Sequence, residues 1–174
     1  RATELDEFLI ERLKGYLKDG GYSGAEVDAA LYAQKLGAWS TLPKRLAAVR
    51  AFAALPEAPA LAAANKRITN ILKKAQEAAI VDPHVSEILL KEPAEIALFA
   101  AMNEVAPKAN EQFEAGDYTE SLQTLAALRA PVDAFFDGVM VNAEELDLRL
   151  NRQGLLKSLH EAMNRVADLS KLAT

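Results

Sequence analysis

The sequence predicts an all-α fold, a helical bundle of about seven or eight helices. Three observations carry this. Alanine and leucine abound while β-branched residues are sparse, a composition that favours helix nearly throughout. Apolar residues recur with a 3.6-residue period in one stretch after another. Proline and glycine punctuate those stretches where a helix has to start or stop. A length of 174 residues is that of one domain, 1–174, with enough chain to bury a core without metal or disulfide support. It opens on Arg1 rather than methionine and is expected to be a fragment of something larger.

The first helix is expected over Glu4 to Asp19, with Thr3 as N-cap and Gly20-Gly21 as the stop. Its packing stripe is Leu5, Phe8, Leu9, Leu13, Tyr16 and Leu17. Ser23 then caps a shorter helix that runs to about Leu36, with Glu26 in the capping-box position. Gly37 to Thr41 reads as a turn, and Trp39 in it is read as covering a seam between helices rather than stacking on a base. A third helix starts near Pro43 and points Leu46, Val49, Phe52 and Leu55 inward. After the connection at Pro56 to Pro59 comes the longest unbroken pattern of the first half, reaching to about Val81. Leu61, Ala64, Ile68, Ile71, Leu72 and Ala75 make its apolar stripe, and Lys66, Asn70, Lys73 and Glu77 follow the same period on another side, flanked by Arg67 and Lys74.

Asp82-Pro83 opens a short helical piece containing Val85, Ile88 and Leu89, with His84 at its exposed beginning. Pro93 starts the next helix, whose inward stripe is Ile96, Phe99, Met102 and Val105. Pro107 must either kink it or begin a new segment around Phe113. Gly116-Asp117 breaks the chain before a helix over Tyr118 to Leu128, and Pro131 to Val139 presents Val132, Phe135, Phe136 and Val139 on one face. Asn142 is the expected N-cap of the last helix, with Glu145 in the box position. That helix spans Ala143 to about Ser170, with an interruption near Leu150.

Several chemistries are excluded at once. Without cysteine there is no disulfide framework, thiol nucleophile or sulfur-ligated metal. His84 and His160 are far apart and lack a partner at ligand spacing. There is no glycine-rich phosphate loop and no arrangement of histidine, acid and nucleophile, so no catalytic residue is assigned. No apolar run reaches membrane-spanning length. Asp133 and Asp137 are four apart and share a helix face, which suits a hard metal or an acid/base pair. No third carboxylate follows in register, and ion pairing to Arg149 and Arg152 of the last helix is the favoured reading.

Charge is unevenly spread. The net charge of −5 argues against indiscriminate binding of polyanions. Residues 44–74 nevertheless carry seven cations (Lys44, Arg45, Arg50, Lys66, Arg67, Lys73, Lys74) and one anion, whereas 75–147 carry three cations against fifteen acids. Two readings follow, a local phosphate-binding face or long side chains that simply solvate a bundle.

A family resemblance adds to this. Asn65-Lys66-Arg67-Ile68-Thr69-Asn70-Ile71-Leu72-Lys73-Lys74 resembles a stretch near the carboxyl end of bacterial glycyl-tRNA synthetase β subunits. The likeness continues through Ala94-Glu95, Tyr118 and Leu122 to Leu128, and is strong from Pro131 to Val141. It closes with Leu148-Arg149-Leu150-Asn151-Arg152 and Val166-Ala167-Asp168-Leu169-Ser170. Two positions depart from the family pattern. Gln153-Gly154 stands where a bulkier apolar pair is usual, and a glycine inside a helix costs up to about 1 kcal/mol against alanine. Met163-Asn164 lies near a usual phenylalanine.

The resemblance implies an anticodon-binding domain of the type shared with arginyl-tRNA synthetase. It also implies a cytoplasmic protein whose partners are tRNA(Gly) and, through the full β subunit, a separate α subunit. Neither membrane nor DNA is expected as a partner. ATP and magnesium would belong to the catalytic subunit, and this domain is expected to hold no cofactor and no metal. Phosphate-facing candidates are Lys44, Arg45, Arg50, Lys66, Arg67, Lys73 and Lys74 as a set, with Arg67 and Asn70 expected to read base edges. Against this stands internal use, Arg67 in an ion pair and Asn70 bonded to another helix. Asp133, Asp137, Arg149 and Arg152 are expected to tie the phenylalanine-rich helix to the last one. The alternative for the whole chain is a helical protein-interaction or subunit-assembly module without RNA contact, marked by an exposed apolar patch.

Overall fold

The computed structural model describes residues 4–34 and 39–174, so Thr3, Leu36 and Gly37 lie outside the described residues. Eight α-helices are found among the described residues: α1 (Glu4–Asp19), α2 (Gly24–Gln34), α3 (Leu42–Ala53), α4 (Ala58–Gln76), α5 (Pro93–Glu114), α6 (Tyr118–Leu125), α7 (Arg129–Gly138) and α8 (Leu146–Met163). Short 3-10 turns join or follow them, and no strand occurs among the described residues. The all-α expectation holds. Among the described residues no single helix is long and apolar enough to cross a membrane.

The main core gathers Phe52 of α3, Leu61 and Ile68 of α4, Leu98 of α5, Leu122 of α6, Phe135 of α7 and Leu155, Leu156 and Leu159 of α8. Each such side chain contributes about 1.5–3 kcal/mol on leaving water. A smaller core sits between α1, α2 and the start of α3, built from Val27, Ala30, Leu31, Leu42 and Leu46. The helix α3 belongs to both, Leu46 facing one and Phe52 the other. The box at the head of α2 forms as expected. Glu26 N–H donates to Ser23 Oγ at 3.0 Å, and Ser23 N–H donates to Glu26 Oε1 at 2.8 Å.

Three helices bury only part of the face their apolar pattern suggests: Leu13 and Leu17 on α1, Phe99, Met102 and Val105 on α5, and Leu155, Leu156, Leu159 and Met163 on α8 do pack inward. On α1 the packed edge is Ile10, Leu13 and Leu17, leaving Phe8, Leu9 and Tyr16 exposed. On α5 the buried line is Glu95, Leu98, Met102 and Ala109, and Ile96 faces out. At the head of α8 Leu146 and Leu150 are exposed while Asn151 and Arg152 are buried. In both α5 and α8 the inward line includes a charged residue, and an apolar-only reading rotates the helix away from it. Pro107 neither breaks α5 nor starts a new segment. It is exposed, as is Asn103 one turn earlier, so water can satisfy the carbonyl that the proline cannot.

The last helix is shorter than its pattern. It starts at Leu146, not Ala143, runs unbroken through Leu150 and stops at Met163, not Ser170. Asn164 ends it. Its Nδ2 donates to His160 O at 2.8 Å and to Asn65 Oδ1 at 2.7 Å, while its Oδ1 accepts from Leu169 N at 2.9 Å. These bonds offer the backbone an alternative to the next helical turn. They also pin the turn after α8 to Asn65, which is fully buried on α4.

The Leu148–Arg152 block works as a clamp, and not through the aspartates of α7. Arg152 Nη2 pairs with Glu95 Oε1 at 2.9 Å, and the two side chains are 6% and 0% exposed. Arg152 Nη1 donates to Met140 O at 2.7 Å, just past α7. Glu95 Oε1 also accepts from Glu92 N at 3.0 Å and Lys91 N at 3.2 Å. Arg149 donates to Ala143 O at 2.9 Å. Asp133 instead pairs with Arg129 of its own helix at 3.3 Å, both about half exposed, and Asp137 faces solvent. The reason is rotational: α7 turns Val132 and Phe135 inward, which carries the aspartates away from α8.

Asn151 completes the clamp. Its Oδ1 accepts from Ser86 N at 2.7 Å and its Nδ2 donates to Ser86 O at 3.1 Å. The segment before Ser86 is thereby drawn across α8 at Gly154, where a Cβ would stand 2.5 Å from His84 O and 2.7 Å from Asp82 O. The glycine that departs from the family pattern is required here by the close backbone passage.

Three outcomes follow. Arg152→Ala, which strands a buried carboxylate, is expected to lower unfolding free energy by about 3–5 kcal/mol in urea titrations, against about 1 or less for Arg129→Ala. Gly154→Ala is expected to destabilise by about 1–3 kcal/mol despite alanine's helix propensity, because rigid backbone rather than a flexible side chain blocks the methyl. Burial alone would raise the Glu95 carboxyl, but bonds from Arg152 and from the Glu92 and Lys91 amides, with the Arg152 charge, hold it below its ordinary value of 4.5. Glu26 is likewise held low against burial by Arg50 and Ser23. Stability from both is present above pH 4.5 and is lost as pH falls through the lower folded values, so acid titration followed by circular dichroism should show Tm dropping below that point.

Candidate nucleic-acid interface

The seven cations of residues 44–74 do not form one solvent-facing set. Arg45 is buried. Its Nη1 donates to Val166 O at 2.7 Å and Arg165 O at 2.9 Å, its Nε donates to Thr41 Oγ1 at 3.0 Å, and its guanidinium lies 4.9 Å from the Tyr118 ring centroid. Burial pushes the Arg45 guanidinium below its ordinary pKa. This arginine joins α3 to the turn after α8 and is removed from the phosphate-facing candidates. Arg50 is half exposed but engaged: it pairs with Glu26 at 3.2 Å, donates to Gly21 O and stacks 4.2 Å from the Tyr22 ring centroid. Lys44 is exposed and lies over the Gly116 turn between α5 and α6.

What remains is α4. Lys66, Arg67, Asn70, Lys73 and Lys74 are all exposed. At 100° per residue they occupy a sector of about 120°. The opposite side of the helix buries Leu61, Ala64, Asn65, Ile68 and Leu72, so the main core orients the basic edge outward. Among the described residues none of these four cations has a carboxylate within ion-pair distance. Arg67 does not pair with an acid; its guanidinium lies 4.4 Å from the Phe136 ring centroid on α7. Asn70 points outward rather than to another helix.

One flank of the edge opens into a groove against α8 of about 590 Å³. Thr69, Lys73, Gln76 and Glu77 stand on its α4 side, and Lys157, His160 and Glu161 on its α8 side. Lys157 Nζ donates to Gln76 Oε1 at 2.9 Å, and Thr69 Oγ1 lies 3.3 Å from His160 Nε2. Burial lowers the His160 pKa, helped by the Lys157 charge and opposed by Asp168 and Glu161, so the ring is neutral at physiological pH. The sequence shows no partner at ligand spacing for His160 and does not single out Gln76 or Lys157. The only signal available was their helical spacing on two stretches 81 residues apart. No group of three or more His, Asp or Glu side chains able to hold a metal occurs among the described residues.

Comparison with known proteins agrees with this architecture. Residues 61–172 match the family model described as the DALR anticodon binding domain, a span that starts at the first fully buried leucine of α4 and ends with the turn after α8. The chain is 75% identical over 166 residues to the glycine–tRNA ligase beta subunit of Polaromonas naphthalenivorans, covering 95% of this chain and 23% of that one. It is 66% identical over 174 residues to the protein of that name from an Acidovorax species (strain JS42), covering 99% and 23%. To the one from Dechloromonas aromatica it is 60% identical over 171 residues, covering 97% and 23%. The chain thus spans about a quarter of the length of these curated relatives. With its family model matched over most of its length, the chain belongs to the DALR anticodon binding domain family.

Proposed function

We propose that the chain is the anticodon-binding part, 1–174, of a two-subunit glycine–tRNA ligase, acting in the cytoplasm as the C-terminal domain of the β subunit. It holds the anticodon stem-loop of tRNA(Gly), while ATP-dependent glycylation is carried out by the separate α subunit. The observation that carries this is the α4 edge, where four cations and an asparagine share one exposed face without acid partners among the described residues. Phosphates take Lys66, Lys73 and Lys74, and a planar group can stack on the outer face of Arg67, whose inner face is held by Phe136. Membership in an anticodon-binding family and the names of the relatives support the same reading. Local charge outweighs net charge here because screening limits an RNA backbone to feeling charges within about 8–10 Å.

A second reading has one observation in its favour. The exposed Phe8, Leu9 and Tyr16 of α1 leave an apolar side uncovered, as a subunit-assembly surface would. It is compatible with RNA binding, since α1 packs on the smaller core and α4 on the main one.

The test is a fluorescence anisotropy titration of tRNA(Gly), and of a tRNA(Gly) with a changed anticodon, at two salt concentrations. Wild type is expected to prefer the unchanged tRNA and to weaken steeply with salt. Lys66→Glu with Arg67→Glu should weaken binding at least about ten-fold at low salt and flatten the salt dependence, while Lys108→Glu on exposed α5 surface should change it less than about two-fold. Binding unaffected by the double reversal would reject the interface.

A further inference from the structure

The groove between α4 and α8 is built differently from the edge beside it. Lys73 and Lys157 bring two cations to it, Glu77 and Glu161 two exposed carboxylates, one on each side, and His160 a neutral ring. Its polar groups have defined roles. Lys157 occupies the acceptor of the Gln76 amide, so the Gln76 NH₂ remains available to donate. Thr69 Oγ1 donates its single proton to Asn65 O at 2.9 Å, so toward His160 at 3.3 Å it accepts, which places the ring proton on Nε2.

This mixture rejects a continuous run of phosphates, because Glu77 and Glu161 repel them. It suits a ligand that is anionic at one end and flat with N–H donors at the other. The volume of about 590 Å³ falls within the range of about 300–1,000 Å³ usual for small-molecule sites. A nucleotide turned out of a loop has that shape and charge distribution.

We propose that the groove takes one unstacked nucleotide of the bound RNA loop, its phosphate between Lys73 and Lys157 and its exocyclic amino group donating to Glu161. Resting on the RNA reading above, this moves base selection to α8 and leaves the α4 edge to contacts that position the RNA without reading its sequence. Cytosine, adenine and guanine offer the amino group. Uracil does not.

The test uses the 174-residue chain and a stem-loop RNA whose amino-bearing loop nucleotides are replaced one at a time by uridine, titrated against wild type and Glu161→Ala. At one loop position uridine should weaken wild-type binding about ten-fold, and in Glu161→Ala that penalty should fall below about two-fold. Lys157→Gln should weaken every RNA of the series alike. Glu161 is exposed and near the end of α8, and an unchanged Tm will show that the variant folds. Uridine penalties that persist undiminished in Glu161→Ala at every position would overturn the groove assignment alone, provided Lys66→Glu with Arg67→Glu still weakens binding. Wild-type chain that binds neither the stem-loop nor tRNA(Gly) would overturn the RNA reading and the groove with it.

Discussion

The buried contact between Glu95 and Arg152 is the constraint on which the arrangement depends. It joins the first turn of α5 to α8, and through Met140 O it reaches the end of α7. Desolvating two charges is expensive, and here Glu95 Oε2 and Arg152 Nε are left without partners among the described residues. Such a pair is a weak source of net stability but a strong source of register, because any slip leaves a charge buried and unmatched. With α8 held in one rotation, Asn151 meets Ser86, Gly154 meets the passing backbone of Asp82 and His84, and Lys157 and His160 turn toward α4.

A second polar node does for α4 what the first does for α8. Asn65 donates to Leu61 O and accepts from Asn164, which in turn accepts from the turn that ends the fold. That fixes which side of α4 is inside. The outside then carries Lys66, Arg67, Asn70, Lys73 and Lys74, with Glu77 at the C-terminal cap of α4 on the same side; the other acids of residues 75–147 lie on later elements or, like Glu95, are consumed within. A protein of net charge −5 can in this way present a cationic edge. The family match begins where α4 enters the core, so the edge and the clamp both belong to the part shared with other anticodon-binding domains.

Arginine serves four purposes in this molecule, and only burial and partners tell them apart. Arg152 is an interior ion-pair partner, Arg45 a tie to backbone carbonyls, Arg50 a staple onto Glu26 and Tyr22, and Arg67 an exposed plane backed by Phe136. The fixed planar fork of the guanidinium makes each geometry possible, and lysine would replace none of them.

Local order was legible in the chain. The bounds of α1, the Ser23–Glu26 box, the apolar side of α4 and its opposing basic edge follow from spacing, since neighbours along a helix are set by 3.6 residues per turn. What tertiary structure alone decided were the pairings between helices. Glu95 and Arg152 are 57 residues apart, and Arg45 and Val166 are 121 apart. Nothing in local periodicity says which helices become neighbours, so Arg152 was assigned to the nearer aspartates, and Arg45 to solvent with the other cations. The same holds for Gly154, a weak point by helix propensity and a necessity once another strand of backbone crosses it. Spacing determines which residues share a face; only packing determines what that face meets.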